Sequence, residues 1–126
     1  MVEWCLLIKD KYIKLILDKK KIWEVRSQTF GFKEGERIAL GNTGSRMIEG
    51  FATISEIKEK TVPEMMKHND KHFANDYIID KWKNRPCLHA FVLSKVKRIP
   101  VKEQIRYPSS RYNQNPKRKL KELLDG

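Results

Sequence analysis

The densest run of chemically capable side chains in this sequence is KKKIWEVR at Lys19–Arg26, where Lys21, Glu24 and Arg26 stand three and then two residues apart. Strand alternation over Ile22–Arg26 puts Ile22, Glu24 and Arg26 on one face and Trp23 and Val25 on the other, so Trp23 reads as core rather than as a stacking platform. Lys21 stands at the loop-to-strand junction, free to lean towards Glu24 and Arg26. Two cations oriented by one carboxylate present donors to a phosphate or a base edge. A lysine amine lowered by desolvation beside a second cation could also serve hydrolysis, with Lys21 and Glu24 as the catalytic residues. A surface ion pair of small energetic worth is the plain alternative.

A second group lies near the C-terminus, in RYPSSRYNQNPKRKLKELL. Arg106, Tyr107, Arg111 and Tyr112 interleave rings with guanidinium groups, and Lys117 and Arg118 open a basic cluster, a mixture suited to stacking on unpaired bases while holding phosphates. A solvated tail ending in a short amphipathic helix, with Leu120, Leu123 and Leu124 packed on the domain, fits equally well. His68 and His72, four apart near Asp70 and Asp76, invite a zinc reading. They lie in a polar stretch between helices with His89 far along the chain, and a catalytic zinc needs three protein ligands. No metal site and no cofactor is expected. Cys5 and Cys87 form no CxxC pair and read as buried free thiols beside strands. No glycine-rich phosphate loop, Ser-His-Asp order or Cys-His pair stands out.

The elements that must position these groups belong to one domain, since the chain has 126 residues. Trp4–Ile8 is an apolar run of buried-strand type, and Lys11–Lys19 carries Tyr12, Ile13, Leu15, Ile16 and Leu17 at helical spacing. Strands follow at Ile22–Arg26, Arg37–Leu40 and Met47–Ile57. Thr61 and Glu64 form a capping pair that starts a short helix, and a second helix is predicted over about His72–Trp82. Leu88–Arg98 is the strongest strand. The order β-α-β-β-β-α-α-β predicts an α+β fold: a small β-barrel of about five or six strands with short helices packed outside. Residues 1–99 form the domain and 100–126 a basic tail whose short helix packs on it.

Charge points to an anionic partner. The net charge is +11, and residues 95–126 carry 10 basic and 3 acidic groups. Phosphate neutralisation makes nucleic acid the best fit, RNA (single-stranded or structured) ahead of DNA. No apolar run approaches the ~20 residues of a membrane span and no secretory signal is evident, so a cytoplasmic protein without membrane partners is expected.

The segment Lys19–Arg26, following the helical YIKLILD, resembles the signature of the ASCH domain family, a branch of the PUA-like fold, in which a helix leads into G-x-K-x-x-E-x-R at the start of a strand. Lys21, Glu24 and Arg26 fall on the family Lys, Glu and Arg, whereas Lys19 stands where the family has Gly. The resemblance spans roughly residues 2–99. It implies a PUA-like barrel whose ligand cleft holds Lys21, Glu24 and Arg26. Some ASCH proteins are amidohydrolases acting on acylated cytidine and others are proposed ribonucleases. The amidohydrolase pattern needs a hydroxyl residue on the strand after its lysine, where this chain has Ile22 and Glu24, and neither Glu64 nor Asp76 is singled out as an acidic helper. The leading expectation is therefore RNA binding without catalysis through this cleft and the tail. A small hydrolase on an acylated nucleoside or RNA is second. A protein-interaction module of a transcription or translation complex, using Thr61–Trp82, is third.

Overall fold

The computed structural model describes residues 2–108 and 115–125, and these build one curled sheet with helices laid against it. β1 (Trp4–Ile8) runs parallel to β3 (Arg37–Asn42), with Leu6 opposite Leu40. Helix α1 (Asp10–Leu17) and the antiparallel edge strand β2 (Trp23–Arg26) lie between them in sequence. β3 pairs antiparallel with β4 (Met47–Lys60), and β4 with β5 (Leu88–Arg98). β5 in turn pairs with β2, placing Glu24 opposite Phe91 and Arg26 opposite His89. Two short strands follow: β6 (Ile105–Arg106) pairs with the start of β4, and β7 (Lys117–Lys119) with β1. The order β2-β5-β4-β3-β1-β7 forms a mixed half-barrel of PUA-like type, the expected α+β class.

Both faces of the central strands are covered. Leu6, Ile8, Ile38 and Leu40 join the main core with Tyr12, Ile13, Ile16 and Leu17 of α1. Cys5 and Ala39, on the opposite face, join a second core with Ile48, Tyr107 and Leu123, the last on α5 (Leu120–Asp125). Burial on both sides explains why β1 reads as an unbroken apolar run. The described residues after Ile99 thus contribute β6, β7 and α5 to the sheet and its second core.

α1 ends in a left-handed turn. Asp18 is the C-cap, Lys19 has φ 62°, and the amides of Lys19 and Lys20 return to the carbonyls of Ile16 and Leu15 at 2.9 and 3.0 Å. This is the Schellman arrangement, whose left-handed position favours Gly. The lysine that departs from the family pattern therefore occupies a glycine conformation.

Residues 61–87 form an insert between β4 and β5. Thr61 Oγ1 caps α2 (Val62–Met66) by accepting the Glu64 amide at 3.3 Å, as the spacing predicts. The single helix expected over His72–Trp82 is instead broken into α3 (Asn69–His72), α4 (Asn75–Tyr77) and a π-helical turn, Ile78–Trp82. Phe73 takes φ 57° and ends α3. The cause lies in His72, which is fully buried: its Nδ1 accepts the Ala74 amide at 2.9 Å and its Nε2 bonds the Met65 carbonyl at 2.7 Å. Anchoring both sides of the ring demands a reversal at Phe73.

Candidate functional site

Lys21, Glu24 and Arg26 converge. Glu24 Oε1 lies 3.2 Å from Lys21 Nζ, and Oε2 accepts Arg26 Nε at 2.8 Å with Nη2 at 2.7 Å. Arg26 Nη2 also donates to the Leu7 carbonyl at 2.9 Å, tying β2 to β1. Lys21 Nζ donates to the His72 carbonyl and stands 5.0 Å from the Tyr12 ring centre. The register that brings Lys21 inward is set at Ile22, whose amide bonds Lys71 O and whose carbonyl accepts from Leu93, both at 2.9 Å. Ile22 is left 39% exposed, away from the cluster it was expected to face.

The trio is more buried than a phosphate clamp. Lys21 is 1% and Glu24 4% exposed, while the Arg26 side chain keeps 17%. Burial pushes the Lys21 amine below its ordinary range; Glu24 opposes that shift and Arg26 adds to it. Burial alone would raise Glu24, but the two adjacent cations and their hydrogen bonds hold it below the usual carboxylate range. Glu24 is thus a charged hub, with Arg26 its more accessible partner.

These groups form one wall of a cavity of about 260 Å³. Tyr12, Tyr77 and Trp82 line its apolar side, and Lys9, Thr43 and Pro116 stand around it. Tyr77 and Trp82 meet edge to face at 4.8 Å between ring centres, with Lys9 Nζ 4.6 Å from the Tyr77 centre. Residues five apart lie about 140° apart around an α-helix. The wider π turn swings Trp82 back beside Tyr77. Lys9, Thr43, Tyr77 and Trp82 were not singled out for this site in the sequence. The sequence signals there only a helix over about His72–Trp82, which does not bring Tyr77 beside Trp82.

The C-terminal candidates separate. Tyr107 is not a stacking residue: it is 3% exposed, and its hydroxyl donates to the Asn42 carbonyl at 2.6 Å. Burial pushes its phenol up to about 12. Lys117 is half-buried, its Nζ donating to Gly31 O at 3.1 Å and standing 4.2 and 4.8 Å from the Trp4 and Phe32 ring centres. Arg118 Nε donates to Asn115 O at 2.7 Å. Arg106 is exposed on β6. Arg111 and Tyr112 lie outside the described residues.

Trp23 is core, 5% exposed and 4.9 Å from the His68 ring centre. With His72 engaged on both ring nitrogens, the His68–His72 pair offers no zinc chelate. Cys5 is buried and its thiol pushed up to about 12 by that burial. Cys87, expected in the core, is only half-buried and donates to Glu59 Oε1 at 3.6 Å. Among the described residues, no helix is long and apolar enough to cross a membrane.

No family model and no curated protein matches the sequence. Solved structures do. The ASCH protein from Zymomonas mobilis superposes with a TM-score of 0.70 at 21% identity, over 77% of this chain and 70% of that one. A serine-to-alanine variant of that protein gives 0.77 at 20% identity, over 94% and 87%. A tyrosine-to-phenylalanine variant gives 0.71 at 20%, over 79% and 74%. The chain therefore has the ASCH-domain fold.

Proposed function

We propose that this protein binds RNA and takes one unpaired nucleotide into the cavity beside Lys21, Glu24 and Arg26. The observation that carries this reading is the pairing of an aromatic wall, Tyr12, Tyr77 and Trp82, with the cations Lys9 and Arg26 in one pocket of a chain of net charge +11. Rings stack on any base, and the cations take the phosphate or a base-edge acceptor. At about 260 Å³ the cavity lies just below the ~300–1,000 Å³ typical of drug-sized ligands, a size suited to a single base. The test is fluorescence anisotropy with labelled single-stranded RNA, single-stranded DNA and duplex RNA. Trp82→Ala and Tyr77→Ala should each cost about 1–3 kcal/mol of binding to single-stranded RNA, in line with lost base stacking. Unchanged affinity in both variants, with folding intact by thermal unfolding, would remove the pocket from the interface.

One observation favours a hydrolase as the second reading. Thr43, immediately after β3, brings to the cavity the hydroxyl that β2 lacks. Against it, Lys21 Nζ is engaged by Glu24, the His72 carbonyl and the Tyr12 ring. Purified protein should leave acylated cytidine intact. Turnover that rises with pH and is lost in both Thr43→Val and Lys21→Ala would reverse the order of the two readings.

A further inference from the structure

We propose that Glu59, Cys87 and His89 form a zinc-binding site at the base of the helical insert. Glu59, near the end of β4, is the cross-strand partner of His89 on β5, and Cys87 lies two residues before His89. Their ligand atoms all lie within 4.8 Å of one another. Glu59 Oε1 is 3.6 Å from Cys87 Sγ and 3.9 Å from His89 Nε2. A zinc tetrahedron with bonds of about 2.0–2.3 Å has edges of roughly 3.3–3.8 Å. These atoms therefore already stand near ligand spacing, and small rotamer adjustments would complete it.

The donor set selects the ion. Thiolate, imidazole and carboxylate suit Zn(II), whereas Mg(II) and Ca(II) call for oxygen donors throughout. Thiolate and carboxylate together neutralise a dication. A bound dication stabilises the thiolate form of a coordinating cysteine. Arg26, across the β2–β5 ladder from His89, turns its guanidinium to Glu24 and the Leu7 carbonyl. The Glu59 side chain is 66% exposed, which leaves the fourth coordination position open to water.

The position gives the ion a role. Glu59 precedes the insert of residues 61–87, and Cys87 and His89 stand at its exit, so one ion would tie its two ends together. That insert supplies Ala74, Tyr77 and Trp82 to the cavity. Zinc here would fix the cavity's aromatic wall without entering the cavity.

The test is titration of the chelator-treated full chain with Co(II), followed by Zn(II) added to the cobalt-loaded protein, and in a separate sample with Zn(II) alone. One equivalent of Co(II) should bind with a near-ultraviolet sulfur-to-cobalt charge-transfer band that Zn(II) displaces, and Zn(II) should raise the melting temperature. Cys87→Ser should abolish the band. Glu59→Gln and His89→Gln should each weaken zinc affinity at least about tenfold and remove the thermal shift. Absence of binding, cobalt bound without the band, a band that survives in Cys87→Ser, or equal zinc affinity in the wild type and all three variants would overturn the proposal.

Discussion

At Glu24 two cations share one carboxylate inside the protein, and that ratio decides which residue matters most. Glu24→Gln would leave Lys21 and Arg26 facing each other without a counter-charge, with Lys21 only 1% exposed. Breaking a buried ion pair from one side typically costs about 3–5 kcal/mol, so Glu24→Gln should lower unfolding free energy by that order in urea titrations. Lys21→Met should cost less, because Glu24 keeps Arg26. Arg26→Ala is then no clean probe of ligand contact, since it also removes the link to the Leu7 carbonyl. Because the folded-state pKa of Glu24 is depressed, its contribution is present above the ordinary carboxylate range and is lost as pH falls through the folded value. Glu24→Gln should flatten the acid limb of stability against pH; an unchanged acid limb would show that other carboxylates dominate it.

The elements differ in how plainly the sequence displays them, and the difference has physical causes. β1 and β5 carry their burial as apolar runs or alternation, and α1 carries an apolar stripe, so local pattern suffices. The insert does not, because its break at Phe73 comes from His72 being anchored on both ring nitrogens, a tertiary event with no periodic trace. His72 thereby becomes a pH-sensitive hub. Burial is the main reason its imidazole is held below its ordinary value of ~6.5, and the nearby Lys21 and His68 act in the same direction. The unfolded chain takes up a proton at higher pH than the folded one, so stability is fully present above ~6.5 and declines as pH falls from there towards the folded value, by at most about 1.4 kcal/mol per pH unit. Chemical denaturation on either side of that pH should show the decline, and His72→Gln should reduce it. At the end of α1 the conflict is local, because Lys19 holds φ 62°. Lys19→Gly should stabilise the protein by about 1 kcal/mol, read as a higher urea midpoint with RNA affinity unchanged. A lower midpoint would mean that the lysine side chain outweighs the strained backbone.

Across the whole molecule, charge and topology have to be separated before the basic C-terminal segment can be given a role. The charge excess after residue 94 is plain in the sequence, whereas the distribution of those charges is not. β7 carries only three residues and is recognisable as a strand only through its pairing with β1. The cavity was illegible for the same reason, since Lys9, Thr43, Tyr77, Trp82 and Pro116 come from segments far apart in the chain. Removing residues 117–126 would therefore delete an edge strand and take Leu123 from the second core, so lost RNA binding in that truncation would report unfolding. Lys117 is equally unsuitable, its ammonium lying against Trp4, Phe32 and the Gly31 carbonyl. Lys119 and Lys121 are exposed, so neutralising them subtracts charge while leaving the core packing in place. If both contact phosphates, the Lys119→Gln, Lys121→Gln double variant should reduce the slope of log affinity against log salt by about 0.7 per lost contact on single-stranded RNA. Its melting temperature should stay near that of the wild type. A wild-type slope in the folded variant would take these two lysines out of the interface.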